Sequence, residues 1–570
     1  MRTPTAAEKH PPEYRIHKYW ARKPANVVRE FIEAHAQPGD AVLDPFCGSG
    51  VTVIEAAKLG RRAVGIDLNP TAAMIARTST QACDLDELQS VWDRLMESWL
   101  PQCREAYALE DREPARYCVH GLMVRCPNCD GTARADACPR NGNRRRCPHC
   151  KETLNCSLMN ACGSQVVSVH GASGETLSSS EELTRQTKTS AAAIGTSRMR
   201  ERFDRPLLAN SRILAHAGMT TASLFTKRNF SLLSLLAEAI RAQDAAASTK
   251  DALWTAFTSA VASCSRLIPY RNNMQGGGPA WTVPGFWVPP LHLERNPALH
   301  LPTRFNKLVK GLRRLSGALG TQPVSIRVGD ACEELRKRPR EKFRYVFADP
   351  PYGDSVPYLE FSQIWNCWLD GPRPDFDREA VVSDRADPPC RWDEYAVRLT
   401  DIFAEVRQAM LPDGRLTVTF NNLDVKAWAA LLGALQASRF VCEDVRYQTP
   451  AVVAAKASFS PTGSCLGDVY ATFFLGGANA NDADVSYADA EAVTDRLREA
   501  EALRGGAVSR VTQTRTAALT VLEENVRADA LLDLEGRFAS LPGKTPPIPA
   551  DCPLFAQIQA ALEAVNQSVR

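Results

Sequence analysis

Ala41-Val42-Leu43-Asp44-Pro45-Phe46-Cys47-Gly48-Ser49-Gly50 is followed by a helix-period stretch from Val51 to Leu59 and then by Ala63-Val64-Gly65-Ile66-Asp67-Leu68-Asn69-Pro70. The pattern is strand, glycine turn, helix, strand and acidic residue, which is one βαβ unit. Gly48 and Gly50 allow a sharp turn and a close approach of backbone to a ligand, with Pro45 and Phe46 at its entrance. The spacing is not G-x-G-x-x-G, and no Gly-Lys-Ser/Thr follows, so the turn suits a nucleoside better than a chain of phosphates. Asp67, ending the second strand, is placed to accept hydrogen bonds from ribose hydroxyls, and Asp44 to face the ammonium of an amino-acid moiety. S-adenosyl-L-methionine carries both groups and no phosphate.

Working outward, the second anchor is Asp349-Pro350-Pro351-Tyr352. It follows Tyr345-Val346-Phe347-Ala348, a short apolar run of the kind that forms a strand buried on both faces. Two prolines stiffen the turn and fix a carboxylate and an aromatic ring in one geometry. That geometry suits a flat base with an exocyclic amine. Acceptors at Asp349 and at a proline carbonyl localise the amine lone pair while Tyr352 stacks on the ring. By itself the tetrapeptide is equally a rigid turn after a strand.

A chain of 570 residues is too long for one core and suggests about three or four domains. A net charge of +3 neither demands nor excludes nucleic acid, so any such surface is a local patch. No charged start leads into an apolar core and cleavage site, and no apolar run reaches about eighteen residues. The expectation is a soluble, cytoplasmic protein without a membrane segment. Eighteen cysteines without a signal peptide point to reduced thiols and a metal site rather than a disulfide framework.

Asp44 to Gly50 together with Asp349 to Tyr352 resemble the donor-binding and catalytic motifs of amino-methylating DNA methyltransferases. The stretch from Asp349 to Leu369, with Val356-Pro357-Tyr358-Leu359-Glu360-Phe361-Ser362, is similar to that of large bacterial adenine-specific DNA methylases. The resemblance spans roughly residues 14 to 80 and 323 to 475. It implies a doubly wound, Rossmann-like α/β sheet and transfer of a methyl from S-adenosyl-L-methionine to a base amine. Adenine N6 of double-stranded DNA is the expected target. The base would be flipped out of the stack, with Asp349, Pro350, Pro351 and Tyr352 as the catalytic motif. The segment Ile16-His17-Lys18-Tyr19-Trp20-Ala21-Arg22-Lys23-Pro24 reads from its residues as a helix entry or as a flap over a cofactor. The resemblance assigns this element, with His17, Lys18, Tyr19 and Lys23, to the donor site. Asp330, after the strand Val324 to Val328, either accepts from the donor's adenine amine or caps the next helix. The resemblance also implies a role in restriction or phage defence, with a protein partner from such a system.

Cys126-Pro127-Asn128-Cys129 and Cys147-Pro148-His149-Cys150 have the spacing of two zinc knuckles closing one tetrahedral structural Zn2+ site. Around them Arg144, Arg145, Arg146 and neighbouring basic residues form an excess able to neutralise phosphates. Arg228 lies among helix-period apolar residues, and Arg271 opens a glycine loop rich in Asn and Gln; both are candidate DNA contacts.

The expected organisation is a methyltransferase core, first half, at 1–85 and a helical connector with zinc ribbon at 86–170. A linker at 171–203 and a helical target-recognition region at 204–322 follow. The second half of the core occupies 323–476 and a helical tail 477–570. The zinc and helical regions thus interrupt the sheet between its second and third strands. Cytosine N4 as target, an RNA amine of the guanine-N2 type, and a non-catalytic DNA-binding subunit remain open alternatives. An RNA enzyme would carry an accessory domain ahead of the core, for which the segment before residue 41 is short.

Overall fold

The computed structural model describes residues 6–476 apart from 110–111, 143, 172–174, 178, 192–200, 271–284, 372, 387–388, 423–424 and 449–467. The expected helical tail and Arg271 therefore lie outside the described residues. Among those described, no helix is long and apolar enough to cross a membrane.

The first half contains α1 (Ala25–His35), β1 (Ala41–Asp44), α2 (Val51–Lys58), β2 (Arg62–Asp67) and α3 (Pro70–Thr80). A long helix, α4 (Leu85–Ala106), leads out of it into the insertion, which holds β3 (Tyr117–Arg125) to β10 (Leu291–Arg295). After the helix Pro297–Ser316 the chain returns through β11 (Val324–Val328), β12 (Phe343–Ala348), β13 (Met410–Phe420), β14 (Phe440–Gln448) and β15 (Asp468–Leu475).

Seven of these strands form one sheet in the order β11-β2-β1-β12-β13-β15-β14. β1 pairs in parallel with β2 on one side and with β12 on the other, in the register Val42↔Tyr345 and Leu43↔Val346. β15 runs antiparallel between β13 and β14. Alternate residues feed two cores on opposite faces. Val42, Ala63, Tyr345 and Phe347 point toward α1 and α2. Leu43, Val64, Ile66, Val346 and Ala348 point toward Leu335, the helix Trp392–Ala409 and the helix Val425–Ala437. Strand order reverses at β1 and β12, which leaves a crevice outside their carboxyl ends.

The first core continues without a break into the insertion, so the helical region lies against the seven-stranded sheet's half rather than as a detached lobe. Trp368 is the joint: its ring lies 5.2–5.9 Å from those of Phe203, Phe225, Phe230 and Phe257. Two expectations need correction. The region 204–322 is not wholly helical: β10 pairs antiparallel with β3, His292 opposite His120. A five-residue strand whose partner lies far upstream carries too little local pattern to be seen. The linker at 171–203 contains a helix, Ser180–Ala191. Its polar residues hid it, and its Gln186 bonds Arg228 at 2.7 Å.

Trp368→Ala should open a cavity between the two halves and cost about 3–5 kcal/mol. The urea midpoint followed by circular dichroism should fall accordingly, and an unchanged midpoint would show that the joint does not hold them.

Candidate functional site

The crevice is a cleft of about 1000 Å³, including its open mouth. Its walls include Tyr19, Lys23, Asp44, Pro45, Phe46, Gly48, Asp67, Asp330 and Asp349. The glycine turn forms its floor. Gly48 is left-handed at φ +49°, and a Cβ there would lie 3.3 Å from the Tyr19 ring. Gly50, at φ +89°, starts α2 and packs on Ala76, where a Cβ would lie 2.9 Å from the alanine methyl. It therefore shapes the turn without lining the cleft.

Asp67 accepts from the backbone amides of Gly48 at 2.7 Å and Asn69 at 2.8 Å, which locks the second strand's end to the turn. Burial nonetheless pushes its carboxyl up to about 6. Asp44 accepts from the Phe46 amide at 3.0 Å, and burial pushes it up to about 7. Among the described residues no cation forms an ion pair with either buried carboxylate. An ammonium and a ribose diol are the partners such a pair of acceptors suits, so the residues present fit S-adenosyl-L-methionine. Asp330 caps the helix Ala331–Arg336, accepting from Glu333 at 3.0 Å, while still bordering the cleft; both expected roles of this residue are geometrically compatible.

The flap is divided. Tyr19 and Lys23 line the cleft; His17 and Lys18 do not. His17 is buried against Trp365 and contacts Thr258 at 3.1 Å, and burial lowers its pKa to about 3. It ties the flap to an insertion helix as a neutral ring. Lys18 is exposed. Trp20 and Arg22, members of the same element that were not singled out within it, also line the cleft. Arg22 fastens the flap to the glycine turn through Ser49 at 2.6 Å and to the His17 carbonyl at 2.7 Å.

Of the second motif, Asp349 and Pro351 line the cleft, whereas Pro350 and Tyr352 do not; the Tyr352 hydroxyl donates to Asp349 at 2.8 Å, and the Tyr352 ring packs edge-on against Phe420 with centroids 5.0 Å apart. The Pro351 carbonyl accepts from the Tyr395 hydroxyl at 2.6 Å and the Gly353 amide at 3.0 Å. Among the described residues no donor reaches the Pro350 carbonyl. Burial pushes Asp349 up to about 6 against the pull of Lys23. Lys23 lies 3.5 Å from Asp349 and 2.7 Å from Asp468. Asp468 is the first residue of β15 and carried no motif by which to find it.

The four cysteine sulfurs at 126, 129, 147 and 150 lie within 4.8 Å of one another, with two pairs at 3.7 Å. A tetrahedron with Zn–S of about 2.3 Å has edges of about 3.8 Å, so the thiols fit a zinc ion. The two knuckles also repeat each other's backbone. Asp130 and Lys151, each following the second cysteine, are both left-handed at φ 56° and 67°. The amides of Cys126 and Cys147 both bond the carbonyl five residues on, at 2.9 and 2.8 Å.

The basic residues do not act as a group. On the short strand Arg144–Arg146, Arg144 and Arg146 are exposed, while Arg145 donates to the Asp136 and Cys138 carbonyls at 3.1 Å each. The reading of Arg228 as a DNA contact is corrected. It is fully buried, paired with Glu294 and stacked 4.1 Å from the Tyr107 ring centroid. Glu294, which also accepts from the Thr226 hydroxyl, binds it inside the insertion core, where it serves packing.

Fold and cleft together define an α/β sheet protein with an acidic, aromatic-walled pocket at the switch in strand order. Residues 3–78 match the DNA methylase family. The chain is 33% identical to the type II methyltransferase M.MjaII of Methanocaldococcus jannaschii over 76 residues, 13% of this chain and 14% of the relative. It is 42% identical to M2.DpnII of Streptococcus pneumoniae over 65 residues, 11% of this chain and 24% of the relative. A ribosomal protein L11 methyltransferase from Burkholderia multivorans is 30% identical over 109 residues, 17% of this chain and 36% of the relative. The chain thus matches well under half the length of each.

Replacing Cys126 and Cys147 together with Ser should remove about one zinc per chain and expose the knuckles to protease. Elemental analysis reads this directly, and an unchanged zinc content would sink the assignment.

Proposed function

We propose that this protein is a DNA methyltransferase that uses S-adenosyl-L-methionine to methylate an exocyclic base amine, adenine N6 in double-stranded DNA. One observation carries the reading: the carboxylate of Asp349 stands in the wall of the same cleft as Asp44 and Asp67. The match to the DNA methylase family over residues 3–78 supports it, as does the strand order of a Rossmann-like, doubly wound sheet.

The donor supplies an electrophilic methyl on a sulfonium. Asp44 and Asp67 orient it, and Tyr19 covers it. Asp349 and the Pro350 carbonyl accept the two amine hydrogens, which turns the nitrogen lone pair toward the methyl. A nitrogen–carbon bond forms as the carbon–sulfur bond breaks, its electron pair going to sulfur. The proton lost by the cationic amine leaves by way of Asp349. The base reaches this position flipped out of the stack, against Tyr352. Cys126, Cys129, Cys147 and Cys150 hold a structural zinc, and Arg144 and Arg146 meet phosphates. The segments 1–85 and 323–476 form the catalytic core, with 86–322 as a target-recognition insertion. Membership of a restriction or defence system in the cytoplasm, with a protein partner there, accords with the type II methyltransferase relatives.

Cytosine N4 is served by the same acceptors. The likeness to a ribosomal protein L11 methyltransferase makes a non-DNA amine the second reading.

Labelled methyl offered with unmethylated genomic DNA and with total RNA, followed by nucleoside analysis, tests the proposal. N6-methyladenine in DNA is the expected product; label only in RNA, or in neither, overturns it. Asp349→Ala should lower transfer about 10²–10⁴-fold and leave donor affinity within a few-fold by calorimetry. Combined loss of both would make the residue structural. Arg144→Ala with Arg146→Ala should weaken DNA binding for all sequences and reduce the slope of log affinity against log salt by about 2. An unaltered slope would remove them from the interface.

A further inference from the structure

We infer that Lys23 and Asp468 are positioning residues for the amine-accepting carboxylate of Asp349. Lys23 orients and charges that carboxylate, and Asp468 holds the lysine's own charge away from the reacting nitrogen. The inference rests on the methyltransferase reading above and moves Lys23 from the donor side of the cleft to the acceptor side.

The geometry is a triangle of Tyr352, Asp349 and Lys23, with Asp468 attached through the lysine. The Tyr352 hydroxyl donates to Asp349 Oδ1 at 2.8 Å. Lys23 Nζ donates to the same hydroxyl oxygen and stands 3.5 Å from Asp349 Oδ1. Its nearest carboxylate is Asp468 Oδ2, at 2.7 Å. The lysine side chain is 6% exposed. A lone ammonium so deeply buried is strongly disfavoured, so the two acids are what allow it to stay charged. The three groups come from the flap, the end of β12 and the start of β15, so the pairing also fixes the flap against the sheet.

Both contacts to Asp349 fall on Oδ1, which leaves Oδ2 for an amine hydrogen. A lysine bound only to Asp349 would oppose catalysis, because the amine becomes cationic in the transition state and like charges repel in a water-poor site. Asp468 resolves this by drawing Nζ to itself, 0.8 Å closer than it stands to Asp349. The cluster of one ammonium and two carboxylates keeps a net charge of −1 beside the nitrogen.

The other groups that act on Asp349 are Asp44 at the end of β1, Tyr358 on the helix after the motif, and Tyr470 on β15. Burial pushes Asp349 up most strongly; Lys23 pulls it down and Asp468 pushes it up. The two substitutions therefore move the acid limb in opposite directions. An ionised Asp349 is needed to accept the amine, so activity is lost as pH falls through its pKa.

The test is the pH profile of single-turnover methyl transfer by the full chain on unmethylated DNA, with donor affinity measured by calorimetry on each variant. Lys23→Met should raise the midpoint of the acid limb by about 1 unit or more, and Lys23→Arg should return it toward wild type. Asp468→Asn should lower the midpoint and yet reduce the plateau rate at least several-fold, because the lysine then turns to Asp349. Donor affinity should stay within a few-fold in all three. Limbs that stay put or move together, with a transferring wild type, would falsify the inference alone. Loss of donor binding in Lys23→Met also overturns it, returning the lysine to the donor side. A wild type that binds donor but transfers to no nucleic acid removes the methyltransferase reading and this inference with it.

Discussion

The parallel pairing of Val42 with Tyr345 and of Leu43 with Val346 is the constraint on which the site depends. Two strands nearly 300 residues apart in sequence become neighbours, and each ends in an acidic turn. Because β2 lies on the far side of β1, the chain reverses its lateral direction at that pair, and no loop crosses the crevice left at their carboxyl ends. Everything else supports the pairing. α1 and α2 seal one face and the helices after β11, β12 and β13 the other, so hydrogen bonds between β1 and β12 form out of reach of water.

Buried charges fall into two kinds. In the insertion, Arg228 is met by Glu294, whose carboxyl is held far below its ordinary range despite burial. Arg385 is enclosed by Glu379 and Glu360, although burial still pushes Glu379 up to about 7. Such pairs stabilise little relative to an apolar core, but breaking one leaves an expensive orphan. Asp44, Asp67 and Asp349 are different: backbone amides, two hydroxyls and, at Asp349 alone, an ammonium shared with Asp468 meet them, and all three are pushed upward. Acids left short of positive partners in a cleft are prepared for a ligand that brings its own charge.

How far the sequence revealed this depends on how local each signal was. The βαβ unit was legible because its strand, glycine turn, helix and acid lie within 30 residues, and the strand ahead of the Asp349 motif was apolar enough to be read as buried. The knuckles were legible because chelation demands short spacing. Asp468 was not, since its role arises only when β15 slides in beside β13 and brings a single acid to the flap. Arg228 misled for a related reason. A basic residue next to Lys227 and Asn229 looks solvent-facing in sequence, and only the carboxylate of Glu294, 66 residues away, shows why it turns inward. β10 and the polar helix at 180–191 escaped because each takes its stability from a tertiary partner rather than from its own pattern.

The distance between β1 and β12 along the chain also bears on the protein's birth. Synthesis at about 5–20 residues per second separates the two strands by roughly 15–60 s. During that interval the nascent β1–β2 pair has an open hydrogen-bonding edge beside apolar Val42 and Leu43. The intervening insertion emerges next, and its helices pack directly on α3 through Arg77–Asp251 and Thr78–Thr255. The insertion is thus complete before the strand that closes the sheet is made, and in the finished fold its helices cover α3 and leave the β1 edge to β12.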